Sequence, residues 1–139
     1  MSTAKAMPSA RNGSIKELAV AATCGLVGWG LCGVTMGVGM KVTTLGNTLI
    51  LHAFAAPLIF AAISFWYFRR VRSWSPLHTA AVFLGIVVVM DVFVVAALIE
   101  RSFEMFESIL GTWLPFLLIF ISTWWTGLTV RRVAHRAAA

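Results

Sequence analysis

Charge is almost absent from four long stretches of this chain, and that absence leaves few folds open. Residues 18–40, 49–68, 77–99 and 112–130 together hold a single Asp, Glu, Lys or Arg, the carboxylate of Asp91. At 1.5 Å per residue, a helix over any of these stretches spans a hydrocarbon core of about 30 Å. With no water there to satisfy the backbone, helices or closed barrels are the only spanning structures, and uninterrupted runs of this length predict helices. Composition agrees: of 139 residues, 60% are hydrophobic and only 12% charged, against about a quarter charged in soluble domains. The expected fold is all-α, a polytopic membrane protein with a four-helix transmembrane bundle.

The remaining segments are short. Residues 1–13 read as a polar, flexible tail, residues 14–136 as one transmembrane domain, and 137–139 as a second tail. Ser14 and Glu17 have S-x-x-E spacing and predict a capping box that starts the first helix. The first apolar run is too long for a signal-peptide core and has no small-residue cleavage site, so it is kept as a span. Ser75 followed by Pro76 predicts an N-cap with proline at N1 for the third helix. Thr112 is the expected N-cap of the fourth. Loops of about eight to twelve residues between apolar runs would make sequential helices antiparallel.

Lysine and arginine set the expected orientation. Lys5, Arg11, Lys16, Arg69, Arg70, Arg72, Arg131, Arg132 and Arg136 all fall on one side, leaving Lys41 and Arg101 on the other. By the positive-inside rule both termini are cytoplasmic, with a bacterial cytoplasmic membrane as the expected location. This sorting also accounts for the net charge of +6 without nucleic acid: the cations are topology signals that meet anionic lipid. Trp66, Tyr67 and Trp74 near one interface and Trp113 near the other fit an aromatic belt. Spans two and four each hold a proline, Pro57 and Pro115, and end in Arg-Arg-Val. The two proline-to-arginine spacings differ, and positive-inside ends resemble each other without duplication.

Asp91 is the residue most in need of a reason. A carboxylate at a span centre costs roughly 2.5–3.5 kcal/mol on insertion scales. Counted from Ile99 it lies about 12 Å deep, level with Cys32, Pro57 and Ser122 in the other spans. Pro57 frees the carbonyl of Ala53. A neutral Asp91 would therefore donate to that carbonyl or bond Ser122 or Thr123, as a polar clasp between helices. Alternatively it binds a proton or cation in a transport path, or pairs with another subunit. His52, near the outer end of span two, is either an interfacial histidine or the partner of Asp91 in a proton relay. As a haem ligand His52 would need a second axial group, and His78 and His135 lie on the opposite side.

Two further features carry expectations. In span one, Gly25, Gly28 and Gly39 share one face with Ala21 and Cys32, while Gly30, Gly33 and Gly37 form a second stripe. Gly33 and Gly37 have the small-xxx-small spacing that lets backbones approach, so both faces are expected to pack, one within the chain and the other on a second subunit or inside the same bundle. In the outer loop, residues 102–110 read as a short interfacial amphipathic helix, with Phe103, Phe106 and Leu110 on one face and Glu100, Glu104 and Glu107 on another. The acids are expected to face water. With His52 they could also bind a divalent cation.

No nucleophile–base–orienter set, phosphate-binding glycine loop or metal motif is present. Cys24 and Cys32 lie inside an apolar run and read as small packing residues. No signature of small multidrug transporters, fluoride channels or thiol-redox membrane enzymes is found. The expectation is a non-enzymatic small membrane protein without a cofactor, working as a homo-oligomer or within a larger membrane complex. A proton- or cation-coupled transporter using Asp91 is the alternative, and a haem- or quinone-binding subunit using His52 the second.

Overall fold

A computed structural model describes residues 9–71 and 74–139 of the chain. Four helices make up the bundle: α1 (Ser9–Val42), α2 (Leu45–Arg70), α3 (Pro76–Met90) and α4 (Leu114–Ala138). Helix α3 continues without a break as a π-helix over Asp91–Glu100, and a shorter π-helical segment, Ile109–Trp113, leads into α4. No strand occurs among the described residues. Four helical segments are long and apolar enough to cross a membrane, which by length and composition makes this a membrane protein.

The helices run up and down. Gly28 lies against Phe60 and Gly39 against Thr48, so α1 and α2 are antiparallel. Gly127 lies against Phe68 and Gly111 against Leu49, so α2 and α4 are parallel. Around the bundle the order is α1, α2, α4, α3, with each helix packed along its two neighbours. Helices α2 and α3, although consecutive, stand on a diagonal. They meet through aromatic rings in the centre, Phe60 with Phe83 at 6.1 Å and Tyr67 with Phe83 at 5.5 Å between centroids.

Glycine makes room for this aromatic core. A Cβ on Gly28 would stand 2.5 Å from Cζ of Phe60, which is wholly buried. A Cβ on Gly127 would stand 2.7 Å from both Phe68 and Pro76. Lipid is as apolar as leucine, so close packing of this kind, rather than water exclusion, holds membrane helices together. Apolarity beyond the core is directed outward. The most apolar window of the third span has only 17% of its residues buried in the bundle, and Phe54, Leu58, Phe93 and Leu98 all face out.

The helix ends differ from expectation. Helix α1 runs through Ser14, starting at Ser9, so the Ser14–Glu17 capping box does not form: the polar segment before it is helix-competent and extends the helix. Of the expected N-terminal tail, residues 9–13 are helical, and the first eight lie outside the described residues, as do Arg72 and Ser73. Only Thr43 and Thr44 separate α1 from α2, with Thr44 Oγ1 accepting from the Asn47 amide as N-cap. Ser75 caps α3 by accepting from His78 N at 3.2 Å, with Pro76 behind it. Before α4 the cap is Ser108, which takes the Gly111 amide at 3.0 Å. Thr112 is instead fully inside and donates to the Met105 carbonyl at 2.6 Å.

Residues 102–110 do not form one amphipathic helix. Arg101 turns the chain with a left-handed backbone, φ 52°, a conformation costly enough outside glycine to end a helix. A single 3-10 turn, Glu104–Glu107, follows. Phe103 and Phe106 stack at 6.3 Å, and Trp113 Nε1 donates to the Phe106 carbonyl at 2.9 Å. The loop is thus tied to the start of α4 through Thr112 and Trp113.

Candidate functional site

Asp91 stands where α3 gives way to the π-helix. Its amide is shared between the carbonyls of Val87 and Val88, a bifurcation common at the end of an α-helix. The wider π geometry then runs to Glu100. Such segments are rare and are found disproportionately at functional sites.

The Asp91 side chain reaches α1. Its Oδ1 accepts a hydrogen bond from Trp29 Nε1 at 2.8 Å, and both residues are half-buried. An indole N–H has no other role than to donate, and a carboxylate in an apolar span needs a donor, so each satisfies the other. Cys32, one turn along α1 from Trp29, is buried within electrostatic reach of the same carboxylate. The contact fastens α1 to α3 at the level where α3 changes pitch.

The partners expected from depth alone are not the ones used. Ser122 Oγ donates within its own helix, to the Ile119 carbonyl at 3.1 Å, and Thr123 Oγ1 is buried without a hydrogen bond. The Ala53 carbonyl belongs to α2, which lies diagonally across from α3. Equal depth brings residues together only when their helices are adjacent, and α3 is adjacent to α1 and α4. Trp29 lies one turn deeper than Cys32, and the length of the indole closes the difference. The legible signal was a tryptophan in mid-span, whose N–H must find an acceptor.

His52 is not joined to Asp91. Its Nδ1 is buried and without a partner, while Asp91 is occupied by Trp29, so no relay is assembled between them. Glu100, Glu104 and Glu107 are all exposed around the Arg101 turn. Among the described residues no three His, Cys, Asp or Glu side chains are gathered as a metal site. Cys24 and Cys32 are free thiols, both buried.

The two glycine faces of α1 differ sharply. Gly25, Gly28 and Gly39 are buried, and a Cβ on them would collide with Ile86, Phe60 and Thr48 respectively. At Gly30, Gly33 and Gly37 a Cβ would meet nothing within 4 Å, and Gly33 and Gly37 are exposed. The second stripe therefore does not pack inside the bundle. A shallow apolar cleft of about 390 Å³ lies between α1 and α2, lined by Val34, Val38, Val42 and Leu51 among others.

A further polar group sits nearer the end that carries the chain termini. Ser64, Tyr67 and Thr123 are wholly buried and their hydroxyls have no hydrogen-bond partner. Thr79 lies near the Tyr67 hydroxyl but donates to the Ser75 carbonyl. Ser64 and Tyr67 are one turn apart on α2, a spacing visible in the sequence. Their burial depends on how α2, α3 and α4 converge.

Comparison with family models, with curated proteins and with solved structures finds no match for this chain.

Proposed function

We propose that this is a non-enzymatic small membrane protein that works by helix association, its unit being a homo-oligomer formed along the outer face of α1. The observation that carries the reading is the asymmetry of the α1 glycines. Glycine in a helix interior is less favourable than alanine by about 1 kcal/mol. Gly25, Gly28 and Gly39 offset this through contacts that only glycine permits. Gly33 and Gly37 have no such contact within the chain, while their spacing is that of a close helix–helix crossing.

A second copy of the chain is the occupant that fits. The face carries no charged residue between positions 18 and 40, so a partner needs no countercharge. A small-xxx-small stripe can meet its own copy about a twofold axis, glycine against glycine, as an isologous contact requires. The internal Trp29–Asp91 bond supports a structural part for the carboxylate, holding α1 on α3 while its other face is offered outward. The proposed orientation has both termini in the cytoplasm, following the concentration of Lys and Arg at the terminal end.

Mass measurement and cross-linking in mild detergent and in lipid discs test this. The expected result is a dimer or higher oligomer that dissociates on Gly33→Leu or Gly37→Leu. Isolated wild-type monomers in both settings would overturn it.

A second reading, proton- or cation-coupled transport through Asp91, draws on the π-helix that begins at this residue. It requires flux in proteoliposomes that is abolished, or altered in pH dependence, by Asp91→Asn. Unchanged flux rejects it.

A further inference from the structure

At the end of the bundle where α1 begins and α4 ends, α4 continues past the last turn of α2. A cleft of about 960 Å³ opens between them. Its cationic side chains are gathered away from its aromatic ones. Toward the bundle it is lined by Phe65 and Trp125, and toward the chain end by Arg69, Arg131 and His135. The cleft reaches from Trp125 to Ala138 along α4, which is roughly 20 Å at 1.5 Å per residue.

Arg69 occupies the boundary between these two environments. It is exposed, and its Cζ stands 4.6 Å from the Phe65 ring centroid. The ring thus holds the guanidinium at the cleft edge while leaving its N–H fork available. Arg131 donates to the Trp74 carbonyl and so has a structural task beside its charge. Arg70, Arg132 and Arg136 are exposed nearby on the same two helices. No Asp or Glu side chain lines the cleft.

We propose that this cleft is a binding site for an anionic phospholipid, with Arg69 and His135 flanking the headgroup phosphate and Phe65 and Trp125 lining the acyl chain. Three properties select that occupant. The charge is of one sign, at the end of the bundle where Lys and Arg concentrate. An arginine fork matches phosphate oxygens in a bidentate fashion. From the basic residues the lining runs through Val130, Thr129 and Thr126 to Phe65, Phe68 and Trp125, a mostly apolar wall that suits a molecule with a charged head and a hydrocarbon tail. The proposal is independent of the α1 oligomer face, since no α1 residue lines the cleft.

Trp125 supplies an internal reporter. The purified full-length chain is reconstituted in vesicles containing a fixed fraction of brominated lipid, either phosphatidylglycerol or phosphatidylcholine, and tryptophan fluorescence is measured. The expected result is stronger quenching by the anionic lipid. That excess is lost in Trp125→Phe, which removes the reporter, and falls to the phosphatidylcholine level in Arg69→Gln, with helicity unchanged in both. It survives added inorganic phosphate at matched ionic strength. Equal quenching by the two lipids overturns the proposal, as does an excess indifferent to Arg69→Gln. An excess that persists in Trp125→Phe places the lipid elsewhere. Loss of the excess to inorganic phosphate assigns the cleft to a free anion.

Discussion

Replacing Trp29 by phenylalanine removes one donor and little else. The phenyl ring keeps an apolar body at the seam between α1 and α3, but it has no N–H for Asp91 Oδ1, which accepts one at 2.8 Å in the native chain. Two magnitudes bracket the effect. Stranding a buried acceptor costs about 1–3 kcal/mol, more when it is charged. Interhelical hydrogen bonds measured inside membranes average only about 0.6 kcal/mol and reach about 1.7, because the unfolded chain in the bilayer finds other partners. Trp29→Phe is therefore expected to lose about 1–2 kcal/mol of stability. Asp91→Asn retains an acceptor oxygen at the same place and should lose less than about 1 kcal/mol. Asp91→Leu removes the carboxylate together with its insertion cost of roughly 2.5–3.5 kcal/mol, so it should be tolerated. The decisive quantity is the coupling in the Trp29→Phe, Asp91→Leu cycle, expected at about 0.6–1.7 kcal/mol. Reversible unfolding in mixed micelles, followed by far-ultraviolet circular dichroism, measures it without relying on the indole being replaced. Coupling indistinguishable from zero would refute the clasp. So would an Asp91→Asn variant that unfolds as readily as Trp29→Phe.

Four further variants have expected stabilities under dilute, monomeric conditions, read by the same unfolding assay and, for the last, by hydrogen exchange as well. Gly28→Ala should destabilise by about 1–3 kcal/mol, because its Cβ would meet the buried Phe60 ring at 2.5 Å, whereas Gly33→Ala should stabilise by up to about 1 kcal/mol, having nothing to meet. Thr123→Val should be neutral or stabilising, since the hydroxyl it removes is buried without a partner; a loss above about 1 kcal/mol would show that the hydroxyl is bonded. Ser108→Ala should cost about 1 kcal/mol and speed amide exchange at Gly111, whose N–H the serine accepts.

Much of the local chemistry was legible in the residues themselves. Ser75 with Pro76 starts α3 as their types dictate, because capping depends on the nearest few residues. One cap failed because α1 begins at Ser9 and runs through Ser14; another because Ser108, not Thr112, starts the segment before α4, the threonine being drawn inward by the Met105 carbonyl, a partner seven residues away. Residues 102–110 show the same limit. Their helical periodicity is real, but Arg101 enters the left-handed region and the loop folds back on Trp113.

Hydropathy alone predicts four helices long and apolar enough to cross a membrane, as found, since charge is missing from four stretches long enough to span hydrocarbon and backbone groups there must be satisfied within each stretch. The sequence also singled out Asp91 as the residue needing a partner, since an intramembrane carboxylate is too costly to stand alone. Which partner it takes is a question of azimuth and adjacency, and periodicity along one helix carries neither. Only the tertiary structure places α1 beside α3 and sets α2 diagonally across from it. That arrangement gives Asp91 to Trp29 and keeps the Ala53 carbonyl away from it, while Ser122, on the adjacent α4, donates within its own helix. It also decides which α1 glycines are filled by Phe60, Ile86 and Thr48, and which are left facing outward.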